Sequence, residues 1–240
     1  MRVVTNEKLI ERNRRIAQIL FFASIAALAA SFFFTNSFSE DNQQIAFYFQ
    51  CLMLPLMLSM VIISVRMTNT WVRQPNPWEA IREGLKGTGG DTTIYNFLMP
   101  ARHVLVSPHG IFSLTTRFQD APQEVNGDTW KTKAGIITFM RQEHLGNPTS
   151  DALLDAAKTE VFLQELLGDE DIKVHPVIVF IHPNAEVKTE GEQTVPILYA
   201  NADKKKGSLK SFLRDAKKNK YPTLTDEQRE KLDNLLLYKD

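Results

Sequence analysis

The side chains that could do chemistry are few and scattered along the chain. Five histidines, His103, His109, His144, His175 and His182, supply imidazole nitrogens, but no pair has the tight spacing of a metal motif. The single cysteine, Cys51, adds no thiolate cluster and rules out an intrachain disulfide. No metal site is expected from these residues. Gly87-Thr88-Gly89-Gly90 lacks the Gly-Lys-Ser/Thr ending of a phosphate loop and follows no strand, so it reads as a turn before a helix. Ser107 and Ser113 have no nucleophile-elbow context. One basic cluster stands out: Lys204, Lys205 and Lys206, with Lys210, Lys217, Lys218 and Lys220 nearby. Three readings fit it, namely a solvated surface, contact with anionic lipid headgroups, and contact with nucleic acid. Near a membrane, each such residue contributes about 1 kcal/mol of attraction. The whole chain exerts no net field, because 28 basic residues balance 28 acidic ones.

The elements that must hold these residues fall into two unlike halves. Ile16 to Phe34 reads IAQILFFASIAALAASFFF, without charge or proline. As a helix it spans about 28 Å, the thickness of a hydrocarbon core. Ile45 to Val65 reads IAFYFQCLMLPLMLSMVIISV, also uncharged, and its Pro55 predicts a kink that a membrane helix tolerates. Two transmembrane helices are therefore expected. Arg2, Lys8, Arg12, Arg14 and Arg15 precede the first span, Arg66 and Arg73 follow the second, and the connection carries Glu40 and Asp41. That asymmetry places both termini in the cytoplasm. A cleaved signal peptide is the rival for the first span, but the run is long for one and a second span follows at once. A buried helical pair in a soluble core would need a charged face, and neither run has one. Gln18, Gln50 and Cys51 read as ordinary contacts within the membrane.

After the spans, 67–79 reads as a juxtamembrane connector with Trp71 and Trp78 suited to the membrane interface. Pro77 to Leu98 reads as an amphipathic helix interrupted by the glycines, with Ile94, Phe97 and Leu98 resuming helical spacing. Val104 to Ser107, a Pro108-His109-Gly110 turn and Ile111 to Phe118 then predict a β-hairpin with one buried face. Gly127-Asp128 marks another turn, with a strand starting at Trp130. Asp151 to Leu167 predicts a helix from the spacing of Leu154, Ala157, Val161 and Leu166, capped by Gly168. Val174 to Ile181 is a continuous apolar run suited to a central strand covered on both faces. A strand over Val195 to Tyr199 and helices over Ser208 to Lys217 and Thr225 to Leu237 complete the chain.

The stretch Arg102-His103-Val104-Leu105-Val106-Ser107-Pro108-His109-Gly110-Ile111-Phe112-Ser113-Leu114-Thr115-Thr116-Arg117 resembles the central motif of the nuclease-related domain (NERD) family. The resemblance extends to Gly87 to Asp91, similar to that family's Gly-rich lead into its first helix. It also takes in Trp130, Asn147-Pro148 and the VHPVIVFIH strand, and covers about residues 80 to 237. It implies a restriction-endonuclease-like fold, a mixed sheet flanked by helices. It also implies a site in which carboxylates gather Mg²⁺ to activate water while a lysine supports the nucleophile.

This chain departs from that site. The family pattern has aspartate where Arg102 stands, glutamate at Thr115 and lysine at Arg117. Its first-helix glutamate is matched only by Asp91, and its glutamine after Asn-Pro is replaced by Asp151. A guanidinium about 5 Å from a divalent ion is repelled by roughly 6 kcal/mol at an effective dielectric near 20. Threonine is a poor ligand for a hard cation, and arginine stays protonated.

The expected molecule is thus α/β, with two transmembrane helices preceding a restriction-endonuclease-like sheet. Its segments are 1–15 (cytoplasmic), 16–66 (transmembrane hairpin), 67–79 (connector) and 80–240 (NERD-like domain). The expected function is a membrane-anchored, catalytically inactive binding or scaffold module on the cytoplasmic side of a bacterial inner membrane, with no cofactor. The alternative is a nuclease acting on DNA or RNA through Mg²⁺ at a site rearranged around Asp91 and Asp151. Arg102 and Arg117 are candidates for an anion-binding pocket. The bilayer is the expected partner, and nucleic acid or anionic headgroups are candidates at the lysine cluster.

Overall fold

A computed structural model of the 240-residue chain describes residues 1–36, 43–132, 145–201, 207–219 and 221–237. Glu40, Asp41, His144, Lys204, Lys205, Lys206 and Lys220 lie outside the described residues. The chain divides into a helical unit, Glu7–Asn76, and an α/β unit built from Met1–Asn6 and Pro77–Asp240.

The helical unit consists of α1 (Glu7–Asn36) and α2 (Gln43–Trp71), which pack on each other, with the Phe34 and Phe49 rings 4.8 Å apart. Both are long and apolar enough to cross a membrane, and only 11% and 6% of their apolar windows are buried. That exposure is the reverse of a soluble core pair, whose apolar surface would be covered. The helix α2 continues through Pro55, and Ser59 Oγ donates to the Pro55 carbonyl at 2.8 Å. Its last turn takes in residues expected in the connector, up to Trp71.

The α/β unit is a mixed six-stranded sheet flanked by helices. Its strands are β1 (Arg2–Thr5), β2 (Thr93–Asn96), β3 (His103–Ser107), β4 (Gly110–Arg117), β7 (Val174–Phe180) and β9 (Ile197–Tyr199), adjacent in that order. The pairs β2–β3 and β3–β4 are antiparallel, and β1–β2, β4–β7 and β7–β9 are parallel. A second, three-stranded sheet sets β5 (Gln123–Asn126) between β6 (Thr129–Thr132) and β8 (Val187–Glu190). One face of the main sheet packs Ile94, Phe112, Leu114 and Val177 against Ile81 of α3 (Pro77–Gly84) and Leu209 and Leu213 of α5 (Leu209–Asn219). The other face packs Val104, Val106 and Ile111 against Ala156 and Leu163 of α4 (Pro148–Leu167) and Leu232 of α6 (Asp226–Leu237).

Two expectations are corrected, and two further features lie outside them. Ile94 to Asn96 is a strand, not a resumed helix: Thr93, Ile94 and Tyr95 are β-formers, and pairing with β3 outweighs a three-residue helical pattern. Phe97 then turns with φ 59. The strand β4 is buried on both faces, because its alternating Ser113 and Thr115 lie under α4 instead of facing water. In α4 the buried face is Ala152, Ala156, Thr159, Leu163 and Leu167, while Leu154 and Val161 are each 52% exposed. Within the N-terminal segment, residues 2–5 form the sheet's first strand, and Val4 is buried. The α/β unit therefore starts at residue 1, departs after Asn6 and resumes at Pro77.

Candidate functional site

On β4, Ser113, Thr115 and Arg117 share one face by the two-residue repeat of a strand. On α4, Asp151, Asp155 and Thr159 share one face by the four-residue repeat of a helix. The two faces meet. Thr115 Oγ1 donates to Asp155 Oδ2 at 3.0 Å, and Arg117 Nη2 donates to Asp151 Oδ2. Arg117 also donates through Nε to the Leu145 carbonyl at 3.3 Å and through Nη1 to the Thr116 carbonyl at 3.0 Å. Thr159 Oγ1 donates to the Asp155 carbonyl at 2.7 Å and accepts from the Ala101 N–H at 3.1 Å. Deeper in the same face, Ser113 is fully buried and its Oγ has no hydrogen-bond partner.

The sequence before α4 places this cluster. Asn147 caps the helix, accepting from the Ser150 N–H at 3.1 Å, and Pro148 occupies the first turn. Asp151 thus falls in the first helical turn, where a carboxylate is stabilised by the exposed N–H groups. Trp130 Nε1 donates to Thr149 Oγ1 at 2.9 Å and ties the small sheet to the same turn.

Of the residues singled out in the sequence, Thr115, Arg117 and Asp151 come together. Continuing the β3–β4 register from Val104↔Ser113 sets Arg102 across from Thr115 at the cluster's rim. The Arg102 side chain is exposed, and among the described residues it makes no hydrogen bond or ion pair. The paired-guanidinium pocket is not formed, because Arg117 spends its donors on Asp151 and two carbonyls.

Asp91 is elsewhere. It lies in the turn before β2, not on a helix, and borders clefts that Pro108 also lines. Pro108 precedes β4 and Arg117 ends it, so about 23 Å of strand separates the two places. Asp91 and Asp151 therefore lie toward opposite ends of β4. Of the lysine cluster, Lys210, Lys217 and Lys218 are described, and Lys210 donates from Nζ to the Lys86 carbonyl at 2.9 Å.

Sequence reasoning missed Asp155, although Asp151, Asp155 and Thr159 recur every four residues within an otherwise apolar helix face. It also missed the network behind Arg102. His103 Nδ1 donates to Asn96 Oδ1 at 2.8 Å, and Asn96 Nδ2 donates to Thr5 Oγ1 at 3.0 Å. Complete burial, aided by the Arg102 charge, lowers the His103 pKa to about 3, so its imidazole is neutral.

The cluster's donor set is two carboxylates already engaged by a guanidinium and a hydroxyl. No group of three or more His, Cys, Asp or Glu residues able to hold a metal ion occurs among the described residues. Compared with known family models, curated proteins and solved structures, the chain matches none of them.

Proposed function

We propose that this chain is a membrane-anchored, NERD-like protein that works by binding and not by cleavage. The observation that carries this reading is the Arg117–Asp151 pair beside the Thr115–Asp155 hydrogen bond. A guanidinium fixed on Asp151 puts positive charge where a restriction-endonuclease-like site needs its cation, and Thr115 offers a hydroxyl in place of a carboxylate. The residues present do not fit Mg²⁺, whose octahedral shell requires free anionic oxygens. The mixed sheet flanked by helices supports the fold that the resemblance implies.

The membrane part of the proposal rests on α1 and α2, whose length, apolar composition and exposed surface suit a bilayer. Strand pairing adds a second support: β1 before the hairpin and β2 after it share a sheet, so both ends of the hairpin belong on one side. The basic flanks make that side cytoplasmic, and the bacterial inner membrane is the proposed location.

The test is nicking of supercoiled plasmid by the full-length protein in detergent, with excess Mg²⁺ or Mn²⁺. No nicking above the level of an Asp151→Ala, Asp155→Ala control is expected. Metal-dependent nicking that disappears in that control overturns the reading.

A further inference from the structure

Both chain connections of the α/β unit to the hairpin lie at one end of the main sheet. Asn6 follows β1 and bonds to Asn96 at the end of β2, and Trp78 at the start of α3 packs on Phe97 at 5.6 Å. At the other end, where β4 begins, a cleft of about 820 Å³ opens between Gly87–Thr88–Gly89, Pro108–His109 and the first turns of α5. Its size is that of a small-molecule site.

Its charges are poised and mostly unused. Lys210 and Arg214 stand one helical turn apart on α5. Among the described residues, the side chains of Arg214, His109 and Asp91 make no hydrogen bond or ion pair. Lys210 gives one of its three donors to the Lys86 carbonyl, which holds the ammonium at the cleft edge.

The loop supplies an independent observation. A Cβ at Gly89 or Gly90 would meet no atom within 4 Å, and neither residue has positive φ. Packing and backbone geometry therefore do not account for glycine there, although each glycine costs folding entropy. The N–H groups of Gly89, Gly90 and Asp91 donate to no acceptor in the described chain. Gly89 and Asp91 line the cleft with Lys210 and Arg214, and bare N–H groups in a cleft with two cations suit an anion with several oxygens. Asp91 also borders an adjoining cleft of about 630 Å³ with Thr225 and Arg229, so a ligand reaching past the glycines meets an acceptor-only carboxylate.

We infer that this cleft binds a small phosphate monoester of a polyol. Lys210, Arg214 and the glycine N–H groups hold the phosphate, and Asp91 accepts from the polyol hydroxyls. Nucleotides, sugar phosphates and inositol phosphate headgroups share this chemistry. The inference is independent of whether nuclease activity is lost, since it concerns a different place and a different readout.

The test is calorimetric titration of the full-length protein, in phosphatidylcholine nanodiscs, with AMP, glucose 6-phosphate and inorganic phosphate. Saturable binding of AMP or glucose 6-phosphate is expected, weakened at least about tenfold by Lys210→Glu with Arg214→Glu. Gly89→Val should weaken binding while leaving the unliganded Tm unchanged, because the added side chain enters open space. Asp91→Asn should weaken AMP and glucose 6-phosphate but not inorganic phosphate. Nanodiscs containing phosphatidylinositol 4-phosphate identify the source: unchanged AMP affinity supports the site with a soluble ligand, and competition supports it with the lipid headgroup. No binding of any probe, or binding indifferent to the Lys210 and Arg214 changes, overturns the site.

Discussion

Arg117 joins the last residue of β4 to the first turn of α4 through Asp151, and it holds the Leu145 carbonyl with the same guanidinium. The Arg117 side chain is 17% exposed and Asp151 is 53% exposed, so solvent screens the charge pair and the carbonyl contacts carry part of its worth. Arg117→Ala is expected to cost about 1–2 kcal/mol of stability. Arg117→Lys should recover only part of it, because an ammonium cannot span both acceptors in a fork. Thermal unfolding of the three proteins in detergent checks this. An alanine variant as stable as the parent would show that the pair is ornamental.

If the cluster is a lost metal site, it can be rebuilt. Arg102→Asp, Thr115→Glu and Arg117→Lys together replace two guanidiniums and a hydroxyl by two carboxylates and an ammonium. Mg²⁺ is expected to raise the Tm of this triple variant and not that of the parent chain, by linkage of binding to folding. Equal response of the two proteins would count against the cluster as the former metal site.

His103 gives stability a defined pH dependence. Its folded pKa is about 3 and its ordinary value 6.5, so the unfolded chain binds the extra proton between them. The stabilisation is complete above pH 6.5 and is lost as pH falls, by up to about 1.4 kcal/mol per unit. Between pH 6.5 and 5, before most carboxylates titrate, the Tm should fall more steeply for the parent than for His103→Gln. Parallel slopes would mean that the imidazole is accessible.

Close packing at one glycine sets a sharp limit. A Cβ on Gly84 would lie 2.2 Å from the Ala200 carbonyl oxygen, and backbone cannot swing aside as a side chain can. Gly84→Ala is expected to cost about 2–4 kcal/mol. Gly168→Ala, at a left-handed cap with open space around it, should cost about 1 kcal/mol. Chemical denaturation of the two variants gives the order, and its reversal would refute the Gly84 contact.

The N-terminal strand should matter to the α/β unit out of proportion to its length. Val4 is buried in the core, and Thr5 completes the Asn96–His103 network. Val4→Asp is expected to destabilise by about 2–3 kcal/mol, since it buries a charge without a partner. A soluble protein starting at Pro77 should melt lower than one in which residues 1–6 are rejoined to Pro77 through a short flexible linker. Equal melting temperatures would show that β1 is dispensable.

What the sequence disclosed and what it hid follow from how local each signal is. The two uncharged runs, the Pro108-His109-Gly110 turn with its flanking strands, and the apolar run of β7 depend on neighbours within a few residues, and the structure contains them all. Thr115, Arg117 and Asp151 were singled out through a resemblance, and they do meet. Their pairing with Asp155 and with the Leu145 carbonyl depends on how α4 lies over β4, which no local pattern encodes. Which stripe of α4 is buried depends on the same packing, since Leu154 and Val161 are as apolar as Leu163 but are exposed. The strand β1 was hidden most deeply. Its partner lies 91 residues along the chain, as in Val3↔Ile94, with the whole hairpin between them.

That separation governs the order of assembly. A ribosome releases residues 2–5 before their partners 93–96, with both apolar helices in between, so the edge of the sheet waits for the whole hairpin to be made. If α1 and α2 cross a membrane as proposed, only an even number of crossings returns β2 to the compartment where β1 was left. A helix that failed to insert, or inserted alone, would strand four residues on the wrong side or leave the second strand with a bare edge. On that proposal the pairing of residues 2–5 with 93–96 forms only when both helices are threaded, so a single strand pair reports the topology of the anchor.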